Sequence, residues 1–167
     1  MVSSMNGDPT PLRFENVDAR LFGADLDFSW LLTDQVQVDG GLSWVRAERR
    51  DIKDDLYRIA PLRGRLGLTY HAETWYVSGE GGIAAEQTRV SVTNSEASTD
   101  GYAIVNLFAG WTVNKNLFLN AGIENLLDEA YEDHLAGYNR IAGSDVPLGA
   151  RLPGVGINGF VRLEYVF

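Results

Sequence analysis

The chain has 167 residues, enough for one domain, with 45% hydrophobic residues, no cysteine and a formal net charge of −9. The acidic balance argues against nucleic acid as a partner, because phosphate backbones are held by Lys and Arg. Without thiols there is no disulfide framework or thiolate metal site, and no run approaches the roughly 20 apolar residues of a membrane helix.

Period-two alternation predicts seven strands and an all-β, antiparallel fold. The first, about residues 16–30, sets Phe22, Ala24, Leu26, Phe28 and Trp30 against Gly23, Asp25, Asp27 and Ser29. The second, about 36–46, sets Val36, Val38, Gly40, Leu42 and Trp44 against Gln37, Asp39, Gly41 and Ser43. In the third, Leu62, Gly64, Leu66, Leu68 and Tyr70 oppose Arg63, Arg65, Gly67 and Thr69. A fourth begins at Trp75, with Val77 and Ile83 opposite Ser78, Glu80 and Glu86. The fifth sets Val105, Leu107, Ala109 and Trp111 against Asn106, and the sixth sets Leu117, Leu119, Ala121 and Ile123 against Asn120 and Glu124.

The seventh strand, residues 161–167, ends the chain. Val161, Leu163, Tyr165 and Phe167 share one face, and Arg162 and Glu164 share the other. An apolar face that closes on an aromatic suits a transmembrane barrel, whose outer side meets lipid and anchors aromatics at the interface. The inward charges Asp25, Asp27, Asp39, Arg63, Arg65, Glu80, Glu124, Arg162 and Glu164 are then expected to pair across strands or meet lumen water.

Three connections are tight, at residues 33–35, 71–74 and 113–116, and alternate with long polar ones at about 47–61, 87–101 and 128–154. Outer-membrane barrels have short periplasmic turns and long outer loops. Trp30, Tyr70, Trp75, Trp111, Tyr165 and Phe167 all fall at the short-turn end, as an interfacial girdle would. The longest loop is expected at 128–154, and His71 reads as a turn residue at the opposite end.

Seven strands are odd where single-chain bacterial barrels have even counts, and they leave two edges that hydrocarbon cannot satisfy. Gly7, Pro9 and Pro11 argue against another strand in 1–15, and Met1 to Pro9 lacks the basic start and apolar stretch of a secretory signal. The sequence therefore reads as a polar extracellular segment, 1–15, followed by the C-terminal portion of a larger barrel, 16–167. A small self-associating, porin-like barrel is the alternative.

The stretch from Leu119 to Tyr131, LNAGIENLLDEAY, resembles the penultimate-strand signature of TonB-dependent outer-membrane receptors. Glu132-Asp133-His134-Leu135, the Arg151-Leu152-Pro153-Gly154 lead into the last strand, Asn16 with Gly23, and Thr99-Asp100-Gly101-Tyr102 fit the same pattern. Ile157 departs from it, standing where the family often carries arginine. Residues 131–140 look most like copper- or siderophore-type receptors.

The resemblance implies a 22-stranded-type barrel in the bacterial outer membrane that takes up a scarce ligand, a metal ion or metal–siderophore complex. Energy would come from the TonB complex through a plug that these residues do not contain. It implies that Val161, Leu163, Tyr165 and Phe167 also form the signal read by the barrel-assembly machinery, with outer-membrane lipid as the other partner. No cofactor is expected.

His134, flanked by Glu132 and Asp133, is either a metal ligand or a solvated loop residue; imidazole and carboxylate suit the first role. Tyr131, Tyr138, Asn139 and Arg140 could join it in a ligand-contact surface, since binding residues concentrate on loops. An enzyme is disfavoured: His71 and His134 lie at opposite ends and no serine has a nucleophile context. A soluble ligand-binding barrel would leave Trp30, Trp75 and Trp111 unexplained on its exterior.

Overall fold

The computed structural model describes residues 16–167; the expected polar segment 1–15 lies outside the described residues. Seven strands form one antiparallel sheet in chain order: β1 Ala19–Leu31, β2 Val36–Arg49, β3 Arg63–His71, β4 Trp75–Ala84, β5 Tyr102–Asn114, β6 Leu117–Glu124 and β7 Asn158–Tyr165. No helix occurs among the described residues.

The register keeps the two faces distinct across the whole sheet. Trp30 stands opposite Val38, Val38 opposite Leu68, Leu68 opposite Gly79, and Gly79 opposite Leu107. Leu107 then meets Ile123, and Ile123 meets Gly159. The other face runs Ser29, Asp39, Gly67, Glu80 and Asn106. A slip of one residue at any pair would mix the rows, because side chains alternate with period two.

Several boundaries move, each for a pairing reason. β1 begins at Ala19, where its register against Arg49 begins, and β2 runs on to Arg49 although its pairing with β3 stops at Ser43 opposite Arg63. β7 starts at Asn158 because Glu124 pairs there. It ends at Tyr165 because that residue faces Leu117, the first of β6. His71 closes β3 rather than sitting in a turn, its amide donating to Gln35 O at 2.7 Å.

Burial is inverted relative to a water-soluble domain. Among the described residues the buried hydrophobics are Ala47 and Ala84, whereas nine polar or charged residues are buried. The short connections are 32–35, 72–74 and 115–116, and the long ones are 50–62, 85–101 and 125–157. The three long loops emerge at the same end of the sheet and carry most of the buried polar groups.

Candidate functional site: a loop cap over the polar face

Down the wall, the polar face is organised by cross-strand pairs. Arg65 reaches Asp27 at 3.2 Å and Asp39 at 3.1 Å, so one guanidinium joins β1, β2 and β3. Ser43 donates to Asp25 at 2.5 Å, Asn106 to Glu80 at 3.2 Å and Asn158 to Glu124 at 3.1 Å. This face is not uniformly wet. Phe108 and Phe160 lie on it with ring centroids 6.4 Å apart, and a Cβ on Gly122 between them would come within 2.6 Å of Phe160 and 2.7 Å of Phe108.

Loop 125–157 leaves β6 through a clamp built on Asn125, which is buried at φ 49°. Asparagine tolerates that left-handed conformation better than most residues. Its side-chain amide donates to Glu129 O at 2.9 Å and Val155 O at 3.1 Å, and its carbonyl accepts the Glu129 amide. Asp128 accepts from the Ile157 amide at 2.8 Å. The motif that carries the family resemblance therefore ties both ends of the loop together.

Tyr131 then stacks on Tyr102 of β5, centroids 4.3 Å apart. Gly154 donates its amide to Tyr131 O at 2.7 Å, and any Cβ there would run into the Tyr131 ring. Asp133 is held to the wall: both of its oxygens contact Arg63 Nη2, at 2.8 and 2.7 Å, and Tyr102 donates to it at 2.9 Å. Burial works to raise its pKa, but the Leu135 amide, Tyr102 and Arg63 together hold it below the ordinary carboxylate value.

His134 points the other way, into loop 85–101, and its ring is fully buried. Nδ1 lies 3.0 Å from Thr99 Oγ1. Nε2 lies 3.2 Å from Glu96 Oε1, within ion-pair reach but too far off the N–H axis for a full hydrogen bond. Glu96 is in turn held by the amides of Arg58 at 2.8 Å and Ser91 at 2.9 Å. Burial depresses the His134 pKa; Glu96 pulls it up and Arg151 pushes it down, and the net shift is downward.

Arg151 closes the cluster. It donates to the carbonyls of His134 and Ala97 and to the Tyr138 hydroxyl, and stacks over the Tyr138 ring at 4.8 Å. Arg58 of loop 50–62 donates to the carbonyls of Leu135 and Ala136. In the same cap, Asp54 receives Val92 N, Thr93 N and Ser91 Oγ at 2.8 to 3.1 Å. Burial opposes ionisation there, but the Thr93, Val92 and Ser91 bonds hold Asp54 well below the usual range. The three long loops thus form one cross-linked cap that reaches down onto the polar face at Arg63 and Tyr102.

The proposed contact residues scatter within this cap. His134 and Asn139 are buried, and Asn139 spends its amide on Ile141 O, Ser144 Oγ and Val146 O. Tyr131 and Tyr138 are half-buried, and Arg140 is exposed. Glu96 and Asp54 were missed by sequence reasoning, and Thr99 and Arg151 entered it only as parts of motifs that carry the resemblance, with no role in a site. Acidic and hydroxyl residues in loops are too common to single out, and their partners in these contacts lie 17 to 39 positions away.

On the apolar face, Trp30, Tyr70, Trp75, Trp111 and Tyr165 stand exposed at the short-turn end, with Phe167 beside Tyr165 at 5.1 Å. Trp75 pairs with Trp111 across β4 and β5, and Tyr70 packs on Trp75 at 5.5 Å. At the other end of the same face, Phe22 and Trp44 meet edge-on at 5.6 Å, an aromatic pair that the sequence reading did not assign to any belt.

The sequence family described as TonB dependent receptor-like, beta-barrel matches residues 2–126. Among solved structures, the copper transporter OprC superimposes with a TM-score of 0.83 at 28% identity, covering 91% of this chain and 24% of OprC. The ferric enterobactin receptor PfeA of Pseudomonas aeruginosa follows with a TM-score of 0.68 at 20% identity over 87% of this chain and 22% of its own. The ferripyoverdine receptor of the same organism's outer membrane gives 0.62 at 15% identity over 88% and 19%. The last two share the fold alone. The chain spans about a quarter of OprC, and no curated protein matches it by sequence.

Proposed function

We propose a role from one premise: the chain belongs to the TonB dependent receptor-like β-barrel family. In that role its apolar face meets outer-membrane lipid and its polar face lines the lumen of a larger, 22-stranded-type barrel. The loop cap forms part of the outer surface that captures a scarce ligand, a metal ion or a metal–siderophore complex. The chain acts as transporter wall and not as an enzyme. The backbone edges of β1 and β7 have no partner within the sheet, and neighbouring strands must cover them before hydrocarbon can.

One observation carries this reading. All four tryptophans lie on the apolar face, at two levels. Phe22 and Trp30 stand eight residues apart on β1. That is about 27 Å along the strand, or on the order of 20 Å once barrel tilt is allowed, close to the roughly 25 Å apolar band of outer-membrane barrels. Trp30, Trp75 and Trp111 then mark the periplasmic interface, and Phe22 with Trp44 the outer one.

The identity to a copper transporter supports a metal ion as cargo. His134 supplies the cap's imidazole, but both ring nitrogens face Thr99 and Glu96, and no group of three or more His, Asp or Glu side chains is placed to hold a metal ion among the described residues. First contact therefore falls to the exposed rim around Tyr138 and Arg140, and His134 would be reached only in a rearranged cap. The outward row of β7 is the segment offered to the barrel-assembly machinery. The TonB complex would act through a plug in the complete receptor.

Tryptophan quenching tests the orientation. In bilayers of lipids brominated near the headgroups, emission from the chain should fall strongly. Unquenched emission from a chain that stays folded and monomeric in plain buffer would overturn the reading. For the cargo, adding copper(II) or a ferric catecholate should change amide exchange at the rim around Tyr138 and Arg140, and no change with either would remove a metal cargo.

A further inference from the structure

Resting on that receptor reading, we propose that Arg63 is a binding point for an oxyanion group of the incoming ligand, occupied in the closed cap by an internal substitute, the Asp133 carboxylate. Displacing Asp133 loosens the loop cap on the barrel wall, leaving the Tyr131–Tyr102 stack as its remaining hold.

The geometry of the Arg63–Asp133 contact points to this exchange. An arginine holds a carboxylate best when two of its nitrogens each meet one oxygen, as parallel bonds. Here a single nitrogen, Nη2, meets both oxygens, at 2.8 and 2.7 Å. The neighbouring Nε is buried without a hydrogen-bond partner, a cost that native structures rarely leave unexplained. Once Asp133 has been displaced, a free carboxylate meets Nε and Nη2 together. Asp133 cannot turn to do so, because Tyr102 and the Leu135 amide fix its oxygens.

The site is open to exchange in a way that the rest of the cap is not. The two side chains are 35% and 27% exposed, so water and solutes reach the pair. His134 and Glu96, one residue beyond, are fully enclosed. A half-buried ion pair that water reaches yields before a dry network does. Arrival of an oxyanion therefore loosens the cap as one body, held together by His134, Glu96 and Arg151. Arg65, two residues along on the same face, is already shared between Asp27 and Asp39 and is not free to take this role.

The absence of cysteine allows a single reporter. A spin label on Ile141→Cys, an exposed position of the loop, reads cap mobility in the full chain in detergent micelles, with citrate as the probe and sodium chloride at equal ionic strength as the control. Citrate should mobilise the label where chloride does not. Asp133→Asn should mobilise it without citrate and tighten the citrate midpoint about tenfold, because an internal competitor reduces apparent affinity by its occupancy. Arg63→Lys keeps the charge but loses the two-nitrogen edge, so the label should stay ordered and the citrate response should vanish. Arg65→Gln should behave as the parent. An unchanged citrate midpoint in Asp133→Asn, or a full response in Arg63→Lys with the β-sheet circular dichroism intact, would overturn the proposal. A chain whose tryptophans escape lipid quenching while the citrate exchange holds would sink the receptor reading and leave the exchange standing.

Discussion

The sheet and its loop cap are stabilised by opposite means. The wall repeats one device, a backbone ladder with apolar side chains on one side and polar on the other, and leaves Leu26, Leu66, Leu68 and Leu163 more than half exposed. The cap repeats nothing. It is held by single buried polar groups such as His134, Asn125, Asn139 and Arg151, each with its own set of partners. The wall takes its stability from whatever solvent covers its apolar face, while the cap takes its stability from inside itself. Changes in lipid should therefore act on the first and barely touch the second.

The sharpest way to break this division is Arg151→Met. It strands the carbonyls of His134 and Ala97 and the Tyr138 hydroxyl, and each buried polar group left without a partner costs about 1–3 kcal/mol. Amide exchange should rise across 85–101 and 125–157 while β2 to β6 keep their protection. A collapse of wall protection would show that the two regions are not separable.

Leu26→Arg attacks the other side. Placed between the Phe22 and Trp30 levels, it should cost about 2–4 kcal/mol in a bilayer. Urea titration of vesicle-inserted chain against chain in micelles reads it; an equal cost in a folded, lipid-free state would remove lipid from the account. Asn125→Ala should follow at about 0.5–1.5 kcal/mol for each bond lost, since the backbone groups of Glu129 and Val155 lose the buried Asn125 amide as their partner. Limited proteolysis should then cut within 125–157 first.

Acid should act on the cap through His134. The folded-state pKa of His134 lies below its ordinary value of about 6.5. The opened cap thus binds the proton more readily, and the contribution of the neutral ring is present above about pH 6.5 and lost as pH falls from there toward the folded value. Protection factors in 125–157, corrected for the intrinsic pH dependence of amide exchange, should fall as pH drops below about 6.5, and His134→Gln should flatten that dependence. The smallest effect belongs to Arg65→Gln: its pairs are exposed at the arginine, and such pairs are worth about 0–1 kcal/mol. A larger loss on chemical denaturation would mean that the polar face is less wet than the wall argument requires.

Legibility from sequence divides along the same line. Seven strands and the phase of every row follow from period two, because a strand exposes alternate residues to two different surroundings and evolution must write both. Phe108 and Phe160 are exceptions: the observed register places them on the polar face, where period two alone expects hydrophilic residues. In the loops no such repetition operates. Asp133 and His134 are adjacent in sequence, yet one binds β3 and β5 of the wall and the other loop 85–101, and nothing in their spacing separates the two tasks.

By itself, then, the order of residues determined the all-β architecture, the two faces and the end from which the long loops emerge, since each of these depends only on neighbours two positions apart or on the turn between them. Tertiary structure alone decided that Arg63 leaves the wall pattern to hold Asp133, that His134 is enclosed against Glu96, and that Arg151 joins loops 85–101 and 125–157. Those contacts span 17 to 70 positions. Such pairings exist only once the chain has closed its loops over the sheet and expelled the water that would otherwise have satisfied the same groups.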